Sequence, residues 1–335
     1  MVKKLIGLVL VMLLLGAHGI CESAFPNVQA IRDFSEGMAA FQDANGNWGY
    51  MDASGNVVIT PEWNLADCFI EGIARVGTSD HLYGYIDATG AVIFPAICSA
   101  ATDFHDGLAT VCVNGEYGFI RPDGSYAFDS RWAEAGYFSE GLAYVRVNGQ
   151  FGFIDESGNL AIAPEWDDAR GFTEGRAPVE KNGKWGFIDT AGNVVVPLEY
   201  DTYEHFHCGL APVEQNEKSG YVDSNGNLII PIQYDSTAYF YQNRAWVKLD
   251  GQYLMIDTTG AQVGANVWQN VFSDFMCSDL CRVFLDGKWG YVNLNNETVL
   301  NPVYEKATRF ENGIAAVKQN GEWFLIDATG ARIQG

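Results

Sequence analysis

Short apolar runs, each alternating large with small or polar residues, recur along this chain and are separated by turn-forming pairs. Residues 138–166 contain three such runs; Asn148-Gly149 divides the first from the second, and Asp155 to Gly158 divides the second from the third. Asn-Gly favours a tight hairpin because both residues tolerate positive φ. An Asp can cap a turn through backbone N–H groups while Gly takes the left-handed position. The pattern predicts three short antiparallel strands.

The same pattern recurs nine times at a spacing of 34 or 35 residues. Self-similarity at such a period indicates a repeat architecture in which each repeat is buried against its neighbours. We therefore predict an all-β fold, a single array over residues 24–335 of nine three-stranded antiparallel sheets. Each repeat starts near an anchoring phenylalanine: Phe34, Phe69, Phe104, Phe138, Phe172, Phe206, Phe240, Phe275 and Phe310.

The middle run of most repeats places an aromatic residue on either side of a glycine, as in Trp48-Gly49-Tyr50 and Trp185-Gly186-Phe187; Leu254 and Phe324 replace the glycine in the seventh and ninth repeats. Period-two alternation puts the aromatics on one face of a strand and the glycine on the other. A glycine inside a strand usually marks the close approach of another group. We expect the aromatic face of one repeat to pack on the glycine face of the next, so that the tryptophans form the core between repeats.

The two ends of the array are complementary. Pro26 lies eight residues before Phe34, as Pro61 lies eight before Phe69, so the amino end supplies the tail of a repeat. The carboxyl end stops at Gly335, where that tail would begin. This arrangement slightly favours a propeller-like ring closed by pairing its termini, with an open β-superhelix as the alternative.

The first 23 residues differ from the array. Lys3 and Lys4 precede the apolar run Leu5 to Leu15, and small residues follow. This pattern is typical of a secretory signal peptide, with cleavage expected near Gly19 or Ser23. The run is shorter than the roughly 20 residues that span a bilayer. We expect a secreted or cell-envelope protein whose mature chain has no transmembrane segment.

Charge and cysteine content narrow the classes of partner and of chemistry. The formal net charge of −22 opposes nucleic acid, since it offers phosphate no counter-charge. Seven cysteines are present, six of them after Cys21, and an even number in an exported chain permits disulfides. Cys277 and Cys281 form the one close pair; a local disulfide and two buried thiols are both open.

Motifs with a chemical mechanism are absent from the sequence. It contains no nucleophile elbow, phosphate loop or His-Glu-x-x-His motif, and we expect no catalytic residue, no cofactor and no metal. His205 and His207 lie in the turn phase of a repeat, and no second pair of ligands accompanies them. Residues 43–46 and 223–226 resemble fragments of calcium loops without the further carboxylates, and we interpret them as turns.

The segment Asn-Gly-Lys-Trp-Gly-Phe-Ile-Asp-Thr-Ala-Gly-Asn-Val-Val-Val-Pro, residues 182 to 197, resembles the WG repeat, also called the KWG repeat, of bacterial proteins. The resemblance extends over the chain after residue 23. It implies a β-rich repeat scaffold, often exported or in the cell envelope, and brings no catalytic residues with it.

These observations predict a non-catalytic scaffold that binds an unknown protein or glycan partner through turns that vary between repeats, such as Thr78–Leu82 and Asn216–Ser219. The aromatic content of 13% supports an alternative, a cell-wall or carbohydrate-binding module that uses exposed aromatics. A second alternative is a hydrolase whose central site is assembled from carboxylates of distant repeats.

Overall fold

The computed structural model describes residues 28–52, 54–272, 279–310 and 313–333. Within these ranges the regular structure consists of β-strands, and no helix that could cross a membrane occurs there. The chain divides into two compact units, one ending at Gly175 and the other starting at Arg176. The expected signal peptide, residues 1–23, lies outside the described residues.

The first compact unit is built from fifteen strands in the described residues. They are β1 Val28–Ser35, β2 Met38–Asp43, β3 Trp48–Asp52, β4 Val57–Trp63, β5 Leu65–Ala66, β6 Ile73–Gly77, β7 Tyr83–Asp87, β8 Val92–Cys98, β9 Ala100–Ala101, β10 Ala109–Val113, β11 Glu116–Ile120, β12 Leu142–Val147, β13 Gln150–Asp155, β14 Leu160–Trp166 and β15 Asp168–Ala169. Its sheets have the orders β1-β2-β3-β4, β5-β6-β7-β8, β9-β10-β11 and β12-β13-β14.

The second compact unit continues the pattern with seventeen described strands. They are β16 Ala177–Lys181, β17 Lys184–Ile188, β18 Val194–Tyr200, β19 Thr202–Tyr203, β20 Leu210–Gln215, β21 Lys218–Asp223, β22 Leu228–Tyr234, β23 Ser236–Thr237, β24 Arg244–Leu249, β25 Gln252–Asp257, β26 Asn270–Val271, β27 Cys281–Leu285, β28 Lys288–Val292, β29 Thr298–Tyr304, β30 Lys306–Ala307, β31 Ile314–Gln319 and β32 Glu322–Asp327. Its sheets run β16-β17-β18, β19-β20-β21-β22, β23-β24-β25, β26-β27-β28-β29 and β30-β31-β32.

The predicted all-β fold of small antiparallel sheets is confirmed, and its turns form as their residues require. Asn148 and Gly149 both have positive φ, 52° and 88°, and join β12 to β13. Oδ1 of Asp155 accepts the backbone N–H groups of Ser157 and Asn159 at 2.9 and 3.0 Å. The slight preference for a closed ring over an open β-superhelix stays a prediction.

Each third strand leads almost directly into a two-residue strand that the sequence pattern did not predict. After β8 ends at Cys98, Ser99 alone precedes β9, whose two residues pair with β10 of the following sheet. Two residues are too few to show the period-two alternation of a strand. The sequence pattern therefore predicted only a link between repeats here. The short strands carry the chain from one sheet to the next.

The glycine of the middle strand faces its own sheet, which corrects the expected packing of rings on glycine. Phe151 and Phe153 of β13 pair with Trp166 and Ile162 of β14, so β14 carries extra residues opposite Gly152. A Cβ on Gly152 would lie 2.6 Å from the backbone oxygen of Ile162. The bulged backbone of the third strand leaves no room there for a side chain, and the ring of a neighbouring repeat does not occupy this place.

Contact between repeats is made by the second aromatic of the middle strand and the anchoring phenylalanine of the next repeat. The rings are buried and tilted or edge-to-face, an arrangement that aromatic quadrupoles favour. Their centroids lie 4.7 to 5.3 Å apart in Tyr50–Phe69, Tyr85–Phe104, Phe119–Phe138, Phe153–Phe172, Phe187–Phe206, Tyr221–Phe240 and Tyr291–Phe310.

Where the second aromatic is a tyrosine, its hydroxyl adds a hydrogen bond to the following repeat. Each donates to a backbone carbonyl 17 residues further on, at 2.5 to 2.7 Å: Tyr50 to Asp67, Tyr85 to Thr102, Tyr221 to Ala238 and Tyr291 to Thr308. Burial raises the pKa of Tyr50, Tyr85 and Tyr221 above its usual range, because the phenolate would lose its hydration. These phenols remain neutral donors at physiological pH.

The tryptophans lie mainly in the core, as expected. Of the nine, Trp132, Trp166, Trp246 and Trp268 are buried, and Trp323, at 39% exposure, is the most open to solvent. The other four are half-buried. They contribute chiefly to packing rather than to a surface shelf of aromatic rings.

Replacing Gly152 with alanine tests the close approach of the bulged strand. Because the new Cβ would overlap the backbone of β14, we expect Gly152→Ala to lower the free energy of unfolding by about 1–3 kcal/mol. Gly171→Ala is the matched control: its Cβ would meet Ser139 at an ordinary 3.9 Å. Urea unfolding of both variants measures the difference, and equal effects would contradict the packing described.

The buried tyrosines predict a loss of stability at alkaline pH. The pKa of Tyr85 is higher in the folded chain than the value of about 10 expected when unfolded, so its contribution is complete below pH 10. It then falls, by about 1.4 kcal/mol per pH unit, as pH rises toward the folded pKa. Tyr85→Phe should therefore be the less stable protein at pH 8, by about 0.5–1.5 kcal/mol, and should lose less stability above pH 10.

Urea unfolding at several pH values from 8 to about 12 measures this difference. Tyr137→Phe, which changes a tyrosine that is 43% exposed, is the control and should follow the wild-type curve. Parallel curves for Tyr85→Phe and wild type would show that Tyr85 does not couple to folding.

Candidate binding groove

One repeat lacks the first aromatic of its middle strand. The residue before the strand glycine, or before Leu254 and Phe324 where these replace the glycine, is aromatic in eight repeats, namely Trp48, Tyr83, Tyr117, Phe151, Trp185, Tyr253, Trp289 and Trp323. In the sixth repeat it is Ser219. The serine keeps the backbone position of the aromatic, since Ser219 pairs with Tyr234 as Trp185 pairs with Tyr200.

The neighbouring short strand changes at the same place. In the fifth repeat Trp185 stacks against Tyr203 of β19, with ring centroids 4.5 Å apart. The residues 34 positions later are Ser219 and Thr237 of β23. The ring of Tyr203 is peculiar to the fifth repeat, because the other repeats have alanine, valine or Thr237 at this position. What distinguishes the sixth repeat is the loss of the first ring, which Ser219 replaces with a small hydroxyl-bearing side chain.

A cavity of about 120 Å³ occupies this place and opens to solvent. Its apolar lining comes from Pro212 and Val213 of β20, with the ring of Tyr203 beside them. Six polar residues complete the lining: Thr202, Glu204, Glu214, Ser219, Ser236 and Thr237. We call this cavity the Ser219 groove.

Ser219 contributes a hydroxyl to the lining of the groove. The residue is only 5% exposed, but its hydroxyl faces the open groove and is not one of the buried side-chain atoms that lack a hydrogen-bond partner. A hydroxyl in such a place can bond water or a ligand. The groove therefore presents a polar atom that is available to bind a molecule entering from solvent.

The charge of the groove is negative. Glu204 is exposed and Glu214 half-buried. The ammonium of Lys218, the residue before Ser219, lies 2.6 Å from Asp235 and holds the pKa of that carboxyl below its usual range. Lys184 is paired in the same way with Asp201 at 2.5 Å. The lining itself thus offers carboxylates and hydroxyls but no cation.

The histidines singled out from the sequence contact different aromatic rings. The ring of His207 stacks against Tyr239 at 4.7 Å, and His205 lies against Tyr203 at 5.9 Å. In the described part of the chain, no three His, Cys, Asp or Glu side chains come close enough together to hold a metal ion.

The two fragments that resemble calcium loops are turns, as interpreted from the sequence. Oδ1 of Asp43 accepts the N–H groups of Asn45 and Asn47, and Oδ1 of Asp223 accepts those of Asn225 and Asn227. These hydrogen bonds lower the pKa of both carboxyls. The carboxylates are engaged with their own backbone.

The cysteine pair is described only in part. Cys281 is buried in β27, whereas Cys277 lies outside the described residues, so the local disulfide stays a prediction. In the first compact unit Cys98 and Cys112 are both buried, and burial raises the pKa of the Cys98 thiol to about 11.

The two segments expected to contact a partner differ in structure. Thr78–Leu82 is a turn between β6 and β7, with a backbone hydrogen bond from His81 to Thr78. Asn216 and Glu217 form the next hairpin turn, both at positive φ. Lys218 and Ser219 already belong to β21, and Ser219 is buried. The segment Asn216–Ser219 is therefore a two-residue turn and the start of a strand, and its contact with a partner stays a prediction.

The sequence pattern included Ser219 only as the last residue of the expected contact segment Asn216–Ser219 and did not predict a groove there. The signal of Ser219 was present in an alignment of the nine middle strands, where it is the one residue without a ring. The groove also brings together Thr237, Glu204 and Glu214. Their proximity follows only from the pairing of β19, β20 and β21 and from the place of β23 beside them.

Comparison with known families agrees with the repeat. The WG containing repeat profile matches residues 48–78, 83–117, 117–150, 151–185, 185–218, 220–253 and 289–323. These segments make up more than half of the chain, which belongs to the WG-repeat family. No curated protein matches the sequence.

Among solved structures, similarity is found at low sequence identity. A crystal structure of the eukaryotic initiation factor is 13% identical, with a TM-score of 0.55 over 90% of this chain and 96% of the other. BamB from Moraxella catarrhalis is 11% identical, with a TM-score of 0.43 over 80% and 94%. Hsv2 from Kluyvelomyces marxianus is 9% identical, with a TM-score of 0.39 over 69% and 92%. The first of these similarities supports the fold and nothing about activity.

Proposed function

We propose that this protein is an exported, non-catalytic scaffold that binds a protein or glycan partner at the cell surface or outside the cell. The observation that carries this proposal is that different residues of a repeat form the core, close the turns and lie at the surface. The rings pack against the next repeat, and the recurring aspartates close turns. What remains free to vary is the surface of the turns, the usual place for recognition on a rigid scaffold.

The recurring carboxylates support a binding role rather than hydrolysis. A general acid needs a raised pKa, which burial or a like charge produces. Here the turn aspartates are half-buried at most, and hydrogen bonds within the turn lower the pKa of Asp52, Asp87, Asp189, Asp257 and Asp327. They are suited to holding a turn rather than to donating a proton.

The turn Thr78–Leu82 is the strongest candidate contact in the first compact unit. It contains five residues where the fourth repeat has four, Val147 to Gln150, around the Asn148-Gly149 hairpin. Asp80 and His81 are exposed at its tip. A longer turn with charged and aromatic polar groups costs little in stability and adds contact surface.

Export predicts a defined amino terminus. We expect the wild-type chain to leave the cytoplasm and to begin just after Gly19 or Ser23, as read by amino-terminal sequencing of the exported fraction. Replacing Leu13 and Leu14 with arginine interrupts the apolar run and should keep the chain in the cell at full length. The matched control, Lys181 and Lys184 changed to arginine, should be exported as wild type; an equal distribution of all three proteins would contradict export.

Grafting the shorter turn tests the binding surface. We expect replacement of Thr78–Leu82 by Val-Asn-Gly-Gln, the sequence of residues 147–150, to reduce capture of an envelope partner at least several-fold. The fold should persist, because this turn closes the equivalent hairpin in the fourth repeat. The measurement is a pull-down of envelope proteins and a glycan array, with thermal melting as the check on folding. Unchanged capture by a folded graft would exclude this turn as the contact.

A further inference from the structure

We propose that the Ser219 groove binds a single uncharged sugar ring of a glycan. This inference rests on the proposed binding function and names the ligand class of one site. It starts from the exchange in the sixth repeat, where Ser219 stands in place of the aromatic residue that the other eight repeats carry at this position. Filling the space with an aromatic ring is the rule in this chain, and here the space is open.

The chemistry of the lining selects a ligand that carries many hydroxyl groups. Carboxylates of Glu204 and Glu214 accept hydrogen bonds, while the hydroxyls of Thr202, Ser219 and Ser236 both donate and accept. The hydroxyl of Ser219 faces the open groove, where the hydroxyl of a ligand can replace water as its partner, and Pro212 and Val213 supply apolar contact. A sugar ring supplies hydroxyls around its edge and carbon–hydrogen faces that can lie against the ring of Tyr203.

Charge excludes acidic sugars from the same groove. Two glutamates line it, and the ammonium groups of Lys184 and Lys218 are held by Asp201 and Asp235. A uronic or sialic acid would bring a carboxylate next to Glu204 and Glu214 without a compensating cation. Like charges within one groove repel each other, so the groove favours an uncharged sugar ring.

The size of the groove limits the ligand to one ring. At about 120 Å³ it is smaller than the roughly 300–1,000 Å³ of pockets for drug-sized molecules. The groove is also open, so a longer glycan can continue into solvent. A ligand of this size in an open groove binds weakly, with a Kd on the order of 1 mM.

The test compares binding of glucose, N-acetylglucosamine and glucuronic acid to the full-length protein by saturation-transfer NMR. We expect one of the two uncharged sugars to bind and glucuronic acid to bind at least ten-fold more weakly. Ser219→Trp returns the ring that the other repeats carry and should abolish binding while preserving or raising the melting temperature. Ser157→Trp, at an exposed turn position, adds the same indole elsewhere and should leave affinity unchanged within two-fold.

Two further variants keep the test decisive. If Ser219→Trp does not fold, Thr237→Tyr introduces the ring that the fifth repeat has at this position, Tyr203, and should also block the groove. Ser219→Ala removes only the hydroxyl and should weaken binding several-fold without filling the space. Equal sugar binding by wild type and by a folded Ser219→Trp would overturn the proposal, as would equal binding of glucuronic acid.

Failure of this inference can be told apart from failure of the scaffold function. Absence of sugar binding by the wild type at tens of millimolar overturns the groove proposal. If the same protein still captures an envelope partner through the Thr78–Leu82 turn, the scaffold function stands without a sugar site at Ser219.

Discussion

The structure depends on one repeated contact, the packing of a buried anchoring phenylalanine on the second aromatic of the preceding repeat. Phe206 against Phe187 and Phe240 against Tyr221 are examples, each with ring centroids 4.9 Å apart. The surrounding clusters draw on two consecutive repeats: Phe187, Val196 and Tyr200 come from one, and Phe206, Ala211 and Val213 from the next. A three-stranded sheet this small cannot bury its own faces, so its stability comes from its neighbours.

This constraint explains which features of the repeat are preserved and which vary. Gly186 is needed because the bulged third strand covers it, with the oxygen of Val196 only 2.5 Å from the place of a Cβ. Asp189 and its turn close the strand pair at fixed length. The first aromatic of the middle strand lies further out, half-buried in Trp48, Trp185 and Trp289. It can be exchanged at smaller cost, and the sixth repeat makes that exchange at Ser219.

The exchange illustrates how a repeat array acquires a specific site. Replacing one large ring with a small polar group leaves a cavity whose walls remain rigid, because they belong to the backbone pairing of β19, β20 and β21. Loss of packing at such a site costs stability, which the inner ring contacts on either side offset. A scaffold built of near-identical repeats can therefore hold a distinct pocket in a single repeat while its other turns evolve separately.

The sequence by itself determined the period, the long strands of each repeat and the turns that join them. These follow from local rules: Asn148-Gly149 and Asp155 to Gly158 specify turns, and alternation specifies strands. Only the tertiary structure decided what the strand glycine faces, since the register shift between β13 and β14 depends on pairing rather than on local pattern. Likewise, Ser219 and Thr237 are 18 positions apart and become one groove only when β23 lies beside β21. Contacts between distant positions are set by strand pairing, which a repeat period does not reveal.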